Sequence, residues 1–177
     1  LSTASVQGAF DPAEHRGAMA VPLYLTSAYH FPTADDAAEI FALSKPGYIY
    51  TRLNNPTTDV QERRLAEMDG GVGACAFASG TAALFSALLC LMHAGDHIVS
   101  SSSIYGGTHT MFAIRLPRIG IESTIVETED PADFEKAIRP NTKAIFLEAL
   151  PNPQLNLLDI EAIAAIAHKH GIPLIVD

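Results

Sequence analysis

From residue 73 onward the chain alternates short, nearly unbroken apolar runs with longer stretches whose apolar residues recur at helical spacing. The runs predict strands at about 73–78, 97–101, 122–126, 144–147 and 172–176. Between them the spacing predicts helices at 81–93, about 105–116, 132–138 and 160–170, with Gly95 and Gly171 closing the first and last. Strands without polar alternation, separated by amphipathic helices, imply an α/β fold: a mostly parallel sheet with helices on both faces. Ala82 to Met92 is the longest apolar stretch. It falls short of the ~20 residues a bilayer span needs and reads as a buried helix.

The first third is patterned differently. Residues 1–32 have weak periodicity and read as an extended N-terminal arm. Thr33 can cap a short helix through Leu43, with Asp35 and Asp36 placed well in its first turn. Residues 44–55 are irregular and hold Pro46, Gly47 and the Asn54-Asn55-Pro56 turn signal. A helix then runs from Pro56 to Gly70-Gly71, with proline at its entry and glycine at its exit. The expected division is 1–55, arm and short helix, and 56–177, the first part of a larger ligand-binding domain.

Composition narrows the class. Hydrophobic residues make up 48% and mean hydropathy is +0.18, enough for a large core. Charged residues are only 18%, so much of the surface is expected to be covered from outside the chain, with partner subunits the natural candidate. Net charge is −9 and no Lys/Arg cluster is present, which argues against nucleic acid. Cys75 and Cys90 lack metal or redox spacing and are expected to be reduced and buried, as in a cytoplasmic protein. His168 and His170 are two apart on a helix and face different sides, so no shared metal is expected. Residues 1–9 show no targeting pattern. The start at Leu1 and the strand-like close Ile172–Asp177 suggest a piece of a longer chain.

Polar residues interrupt the apolar pattern where the strands end. Ser79-Gly80-Thr81 follows the first strand, Tyr105-Gly106-Gly107-Thr108 the second, Glu148 to Asn152 the fourth, and Asp177 the fifth. In open parallel sheets ligands bind at the carboxyl ends of the strands. Each group alone has an ordinary reading beside the functional one. Ser79-Gly80-Thr81 either offers free N–H groups to a phosphate or simply caps its helix with Ser79. Tyr105 either faces a flat ligand or leads a glycine turn, and Asn152 either donates an amide or only shapes Pro151-Asn152-Pro153. Asp177, closing an apolar strand, either pairs with a cation or lies at an exposed chain end. Tyr50 and Arg52, two apart in an extended stretch, project together and suit a phosphate, or form an ordinary surface pair.

Taken in order, Tyr50-Thr51-Arg52, Ser79-Gly80-Thr81-Ala82-Ala83, Tyr105-Gly106-Gly107-Thr108, Glu148 through Asn152-Pro153, and Val176-Asp177 resemble the cysteine/methionine-metabolism family of pyridoxal-phosphate (PLP) enzymes. The likeness runs from about Val21 to Asp177 and implies an incomplete fold-type I large domain. It implies further that Ser79, Gly80 and Thr81 hold the cofactor phosphate. Tyr105 would stack on the pyridine ring and move protons, Asn152 would approach the ring hydroxyl, and Asp177 would pair with the ring nitrogen. Tyr50 and Arg52 would reach the phosphate of a neighbouring identical subunit, in a dimer commonly doubled to a tetramer.

Phe41-Ala42-Leu43, Asn55 to Val60 and Ser100 to Gly107 look most like the O-acetylhomoserine sulfhydrylase branch. The implied reaction is γ-replacement by sulfide or a small thiol, in methionine biosynthesis. Cystathionine γ-synthase or γ-lyase and methionine γ-lyase are the alternatives within the family, though methionine γ-lyase usually carries Cys where Gly107 stands. A non-catalytic α/β module binding a phosphate ligand is the alternative outside it. Thr81 replaces the usual Met or Gln, and Ala149 the usual Ser or Thr. Lys45, Lys136, Lys143 and Lys169 are the only lysines, and none has the family's Ser-x-Thr-Lys context. The covalent-anchor lysine, the further phosphate ligands and the substrate-carboxylate arginine are therefore expected beyond Asp177.

Overall fold

The computed structural model describes residues 2–177 and divides into two compact units, one ending at Phe77 and one running from Ala78 to Asp177. The expected boundary at 55/56 separates roles. Compactness instead groups the Pro56 helix with the residues before it.

In the first unit, α1 (Ser2–Gln7) and a 3₁₀ turn (Pro12–His15) occupy part of what the sequence presents as an extended arm. Both are too short to leave a periodic pattern. The 3₁₀ turn forms because Asp11 accepts the Ala13 N–H at 2.9 Å. Helices α2 (Ala34–Phe41) and α3 (Pro56–Asp69) begin where expected, capped by Thr33 and Asn55. Asn55 is buried and does more than cap. Its Oδ1 accepts the Thr57 N–H at 2.9 Å, while its Nδ2 donates to the Tyr24 carbonyl at 3.0 Å. Thr57 Oγ1 donates in turn to the Pro22 carbonyl at 2.7 Å, so residues 22–24 are strapped to the start of α3.

The second unit is a four-stranded, all-parallel sheet of order β2-β1-β3-β4, with β1 at His97–Ser101, β2 at Glu122–Val126, β3 at Thr142–Leu147 and β4 at Leu174–Val176. Helix α4 (Gly80–Leu91) precedes β1. Between β1 and β2 runs α5 (Gly106–Thr110), which continues through a π-helical turn at Met111–Arg115 into α6 (Leu116–Arg118). Helix α7 (Pro131–Ala137) leads to β3, and α8 (Ile160–Lys169) to β4. Alternation along the strands splits the core in two. Ile98, Ala144 and Phe146 pack with Leu88, Met92, Phe112 and Leu116. Val99, Ile145 and Leu147 pack with Phe134, Ile163 and Ala167. Helices therefore cover both faces, as the apolar strands require.

Three expectations need correction. Residues 73–78 form no strand; they are exposed, and the ladders of β1 to β4 among the described residues offer them no partner. A strand without a neighbour leaves its N–H and C=O groups to water and has no reason to persist. Helix α4 is apolar all round but only partly covered. Leu88 and Met92 are buried against the sheet side, while Leu89 and Leu91 remain 43% and 42% exposed. Cys75 and Cys90 are free thiols as expected but exposed, because they lie on those two uncovered elements. No helix among the described residues is long and apolar enough to cross a membrane.

At the amino end of the sheet, His97 is fully buried between Thr142 on β3 and Thr124 on β2, with both ring nitrogens 2.8 Å from a hydroxyl. Burial, with a smaller contribution from the Arg139 charge, pushes its pKa from the ordinary 6.5 down to about 4. The folded state thus resists a proton that the unfolded chain accepts below 6.5. Its contribution is whole above that pH and is lost progressively as pH falls towards 4. We expect the thermal midpoint to fall across this window, and to fall less in His97→Gln. Equal acid slopes in the two proteins would contradict the assignment.

Candidate active site

At the carboxyl edge of the sheet, four chain segments deliver side chains to one place. Ser79 caps α4 from extended backbone, its Oγ accepting the Ala82 N–H at 3.1 Å. Capping and ligand binding are compatible here, since the N–H groups of Gly80 and Thr81 in the first turn have no partner within the helix. They stand at its positive end. A Cβ built on Gly80 meets nothing within 4 Å, so space beside this backbone is open.

Tyr105 follows β1. Its N–H donates to Glu148 Oε1 at 2.7 Å, and its carbonyl accepts the His109 N–H of α5 at 2.9 Å. Glu148 directly follows β3 and is only 7% exposed. Register then fixes the last residue. Leu147 pairs with Val176, the Asp177 N–H donates to the Leu147 carbonyl at 3.0 Å, and the Ala149 N–H donates to the Asp177 carbonyl at 2.7 Å. Asp177 therefore lies beside Glu148 as a continuation of the ladder. Asn152 sits on the turn after β3, ahead of a cis peptide bond to Pro153.

Ser79, Gly80, Thr81, Tyr105, Asn152 and Asp177 line one cavity of about 340 Å³, together with Leu84, Thr108 and Glu148. The six residues of this unit that the sequence singled out thus face a common space. It opens at the β1/β3 junction, where the connections pass to opposite sides of the sheet. A larger, mainly apolar cavity of about 700 Å³ shares Ser79, Thr81 and Tyr105 and is flanked by Arg115 and Arg118. Sequence reasoning gave Glu148 and Thr108 no separate role, although a carboxylate closing an apolar strand was a signal for the first. None of the four lysines is among the residues lining the cavity, and each is within 4 Å of a carboxylate: Lys45 with Asp36, Lys136 with Asp133, Lys143 with Asp96 and Lys169 with Glu135.

Tyr50 and Arg52 belong to the first unit. Tyr50 bridges antiparallel to Ala28, and the chain then turns through Leu53, whose N–H donates to the Tyr50 carbonyl at 2.8 Å. The two side chains do meet, with the guanidinium 5.9 Å from the Tyr50 ring centroid, but on a turn rather than along an extended stretch.

A parallel α/β unit with hydroxyl, amide, aromatic and carboxylate groups gathered at its switch point falls in the ligand-binding class of doubly wound proteins. The model of the Cys/Met metabolism PLP-dependent enzymes matches residues 2–177, and the chain belongs to that family. A homocysteine/cysteine synthase of Kluyveromyces lactis is 48% identical over 165 residues, which is 93% of this chain and 37% of the relative. A homocysteine synthase of Schizosaccharomyces pombe is 45% identical over the whole chain and 41% of its own length. A crystal structure of a putative O-acetylhomoserine (thiol)-lyase from Campylobacter jejuni, containing N'-pyridoxyl-lysine-5'-monophosphate, superposes with a TM-score of 0.95 at 44% identity. The superposition covers 99% of this chain and 43% of that one. The chain thus spans about 40% of the length of these relatives.

The donor set fits PLP. Unpaired N–H groups at a helix start suit its phosphate, a carboxylate at the cavity edge suits a protonated ring nitrogen, and an aromatic face suits a flat ring. No neighbour within 4 Å requires glycine at position 80. Gly80→Ala should hold or slightly raise the thermal midpoint, because the position is helical, its φ is not positive and a Cβ there meets nothing within 4 Å. A clear loss of stability in calorimetry would show that the site needs glycine for its backbone.

Proposed function

We propose that the protein containing this chain is a PLP-dependent transferase. It would convert O-acetyl-L-homoserine and hydrogen sulfide to L-homocysteine and acetic acid, with small thiols as alternative nucleophiles. The observation that carries the proposal is the meeting of Gly80, Tyr105, Asn152 and Asp177 around one cavity at the sheet's switch point. The names of the relatives support the choice of substrate.

In this reading the N–H groups of Gly80 and Thr81, with the Ser79 hydroxyl, bind the cofactor phosphate. Asp177 accepts the ring N–H and favours the protonated ring by its charge. Asn152 donates its amide to the ring oxygen. Tyr105 covers one ring face, and its phenol is the group assigned to carry protons between substrate and cavity. Tyr50 and Arg52 act on the phosphate of a neighbouring identical subunit, in a cytoplasmic homotetramer whose arms comprise residues 1–55. When bound, the cofactor supplies an electron sink for charge developing on the substrate carbons. The C–O bond to acetate breaks and a C–S bond to the nucleophile forms. The covalent-anchor lysine and the groups that clamp the substrate carboxylate belong to the rest of the polypeptide.

The intact, PLP-loaded protein should form homocysteine from O-acetylhomoserine and sulfide, and Asp177→Asn should lower kcat by about a hundredfold or more. Cleavage of methionine, or cystathionine formation with cysteine, in place of homocysteine synthesis would move the protein to another branch of the family. Residues 1–177 expressed alone should lose PLP on gel filtration. Tight retention would contradict the assignment of the covalent anchor elsewhere.

A further inference from the structure

We propose that Glu148 and Gly107 are positioning residues that together seat the Tyr105 ring. The chemistry rests on the function proposed above, whereas the geometry stands without it. Tyr105 is 55% exposed and its side chain makes no cap on α5, so packing does not fix the ring. Two features set where it can lie. One is the 2.7 Å hydrogen bond from its backbone N–H to Glu148 Oε1. That bond runs from the residue after β3 to the loop after β1, across the junction where the cavity opens, and its acceptor is only 7% exposed. It fixes where the Tyr105 backbone stands relative to Asp177, the ladder neighbour of Glu148.

The other feature is the bare Cα of Gly107. A Cβ there would lie 2.5 Å from Tyr105 Cε1, 3.1 Å from Cδ1 and 3.3 Å from Cζ, so the ring rests in the space a side chain would take. Tyr105 lines both the 340 Å³ and the 700 Å³ cavities. Glu148 thus sets where its backbone stands, and Gly107 leaves the room its ring takes. A side chain at 107 would oblige this exposed ring to shift. Displacements of about 1 Å in a catalytic group can cost on the order of a hundredfold in rate.

The test compares Glu148→Gln, Glu148→Ala and Gly107→Ala in the intact protein, each checked for an unchanged thermal melt. In the cofactor-free protein, hydrogen exchange at the Tyr105 amide should accelerate about tenfold or more in Glu148→Ala. It should stay near wild type in Glu148→Gln, which keeps an acceptor, and in Gly107→Ala. With PLP bound, kcat/KM should fall about ten- to a hundredfold in Glu148→Ala and about tenfold in Gly107→Ala, with altered visible circular dichroism in both, while Glu148→Gln stays within about threefold. Unchanged amide exchange in Glu148→Ala, failure of the Gln variant to rescue, or wild-type dichroism in Gly107→Ala would overturn the seat. Wild-type protein that binds no PLP would instead defeat the parent proposal and leave the exchange test standing.

Discussion

The structure depends on parallel strand register. Because β3 and β4 pair with Leu147 opposite Val176, the next residues out, Glu148 and Asp177, must lie side by side at the carboxyl edge. A shift of one residue would turn each of them to the other face of the sheet and replace it with an apolar neighbour. That register is held from both sides. Ile145 and Leu147 fill the core under α7 and α8, while Ala144 and Phe146 fill the core under α4 to α6. The site is thus a consequence of core packing: buried alternation sets the strands, and the strands set the two carboxylates.

The same logic orders the rest of the edge. β1 is central, with β2 on one side and β3 on the other, so the loop after β1 and the loop after β3 face each other. The Tyr105–Glu148 hydrogen bond closes that gap. Helix α4 enters with its free N–H groups aimed at the same space. Polar groups gather there because strands stop and ladders end at this edge. At the opposite edge His97 closes the sheet with two threonine hydroxyls and offers nothing to a ligand.

The second unit was largely legible in sequence because its strands are covered on both faces and carry an unbroken apolar signal. The limits of β1 and β2 fell where that signal starts and stops. That Tyr105, Asn152 and Asp177 share a cavity was legible for the converse reason, as polar residues gathered after apolar runs. Residues 73–78 carry the same signal but lack a ladder partner, and a run of apolar residues cannot announce who will pair with it. Cys75 and Cys90 were misjudged with it, since an apolar neighbourhood in sequence is not burial in space. The hydrogen bond to Glu148 joins residues 43 apart and leaves no local trace. The contact between Gly107 and the Tyr105 ring depends on a rotamer that spacing does not encode.

We propose that Asp177 serves the nitrogen of a bound pyridine ring. The most direct measurement is the ¹⁵N chemical shift of ring-labelled PLP bound to the intact protein and to its Asp177→Asn variant. The ring nitrogen should be protonated in the wild type and shift towards the unprotonated position in the variant. An unprotonated nitrogen in the wild type, or the same shift in both proteins, would contradict it.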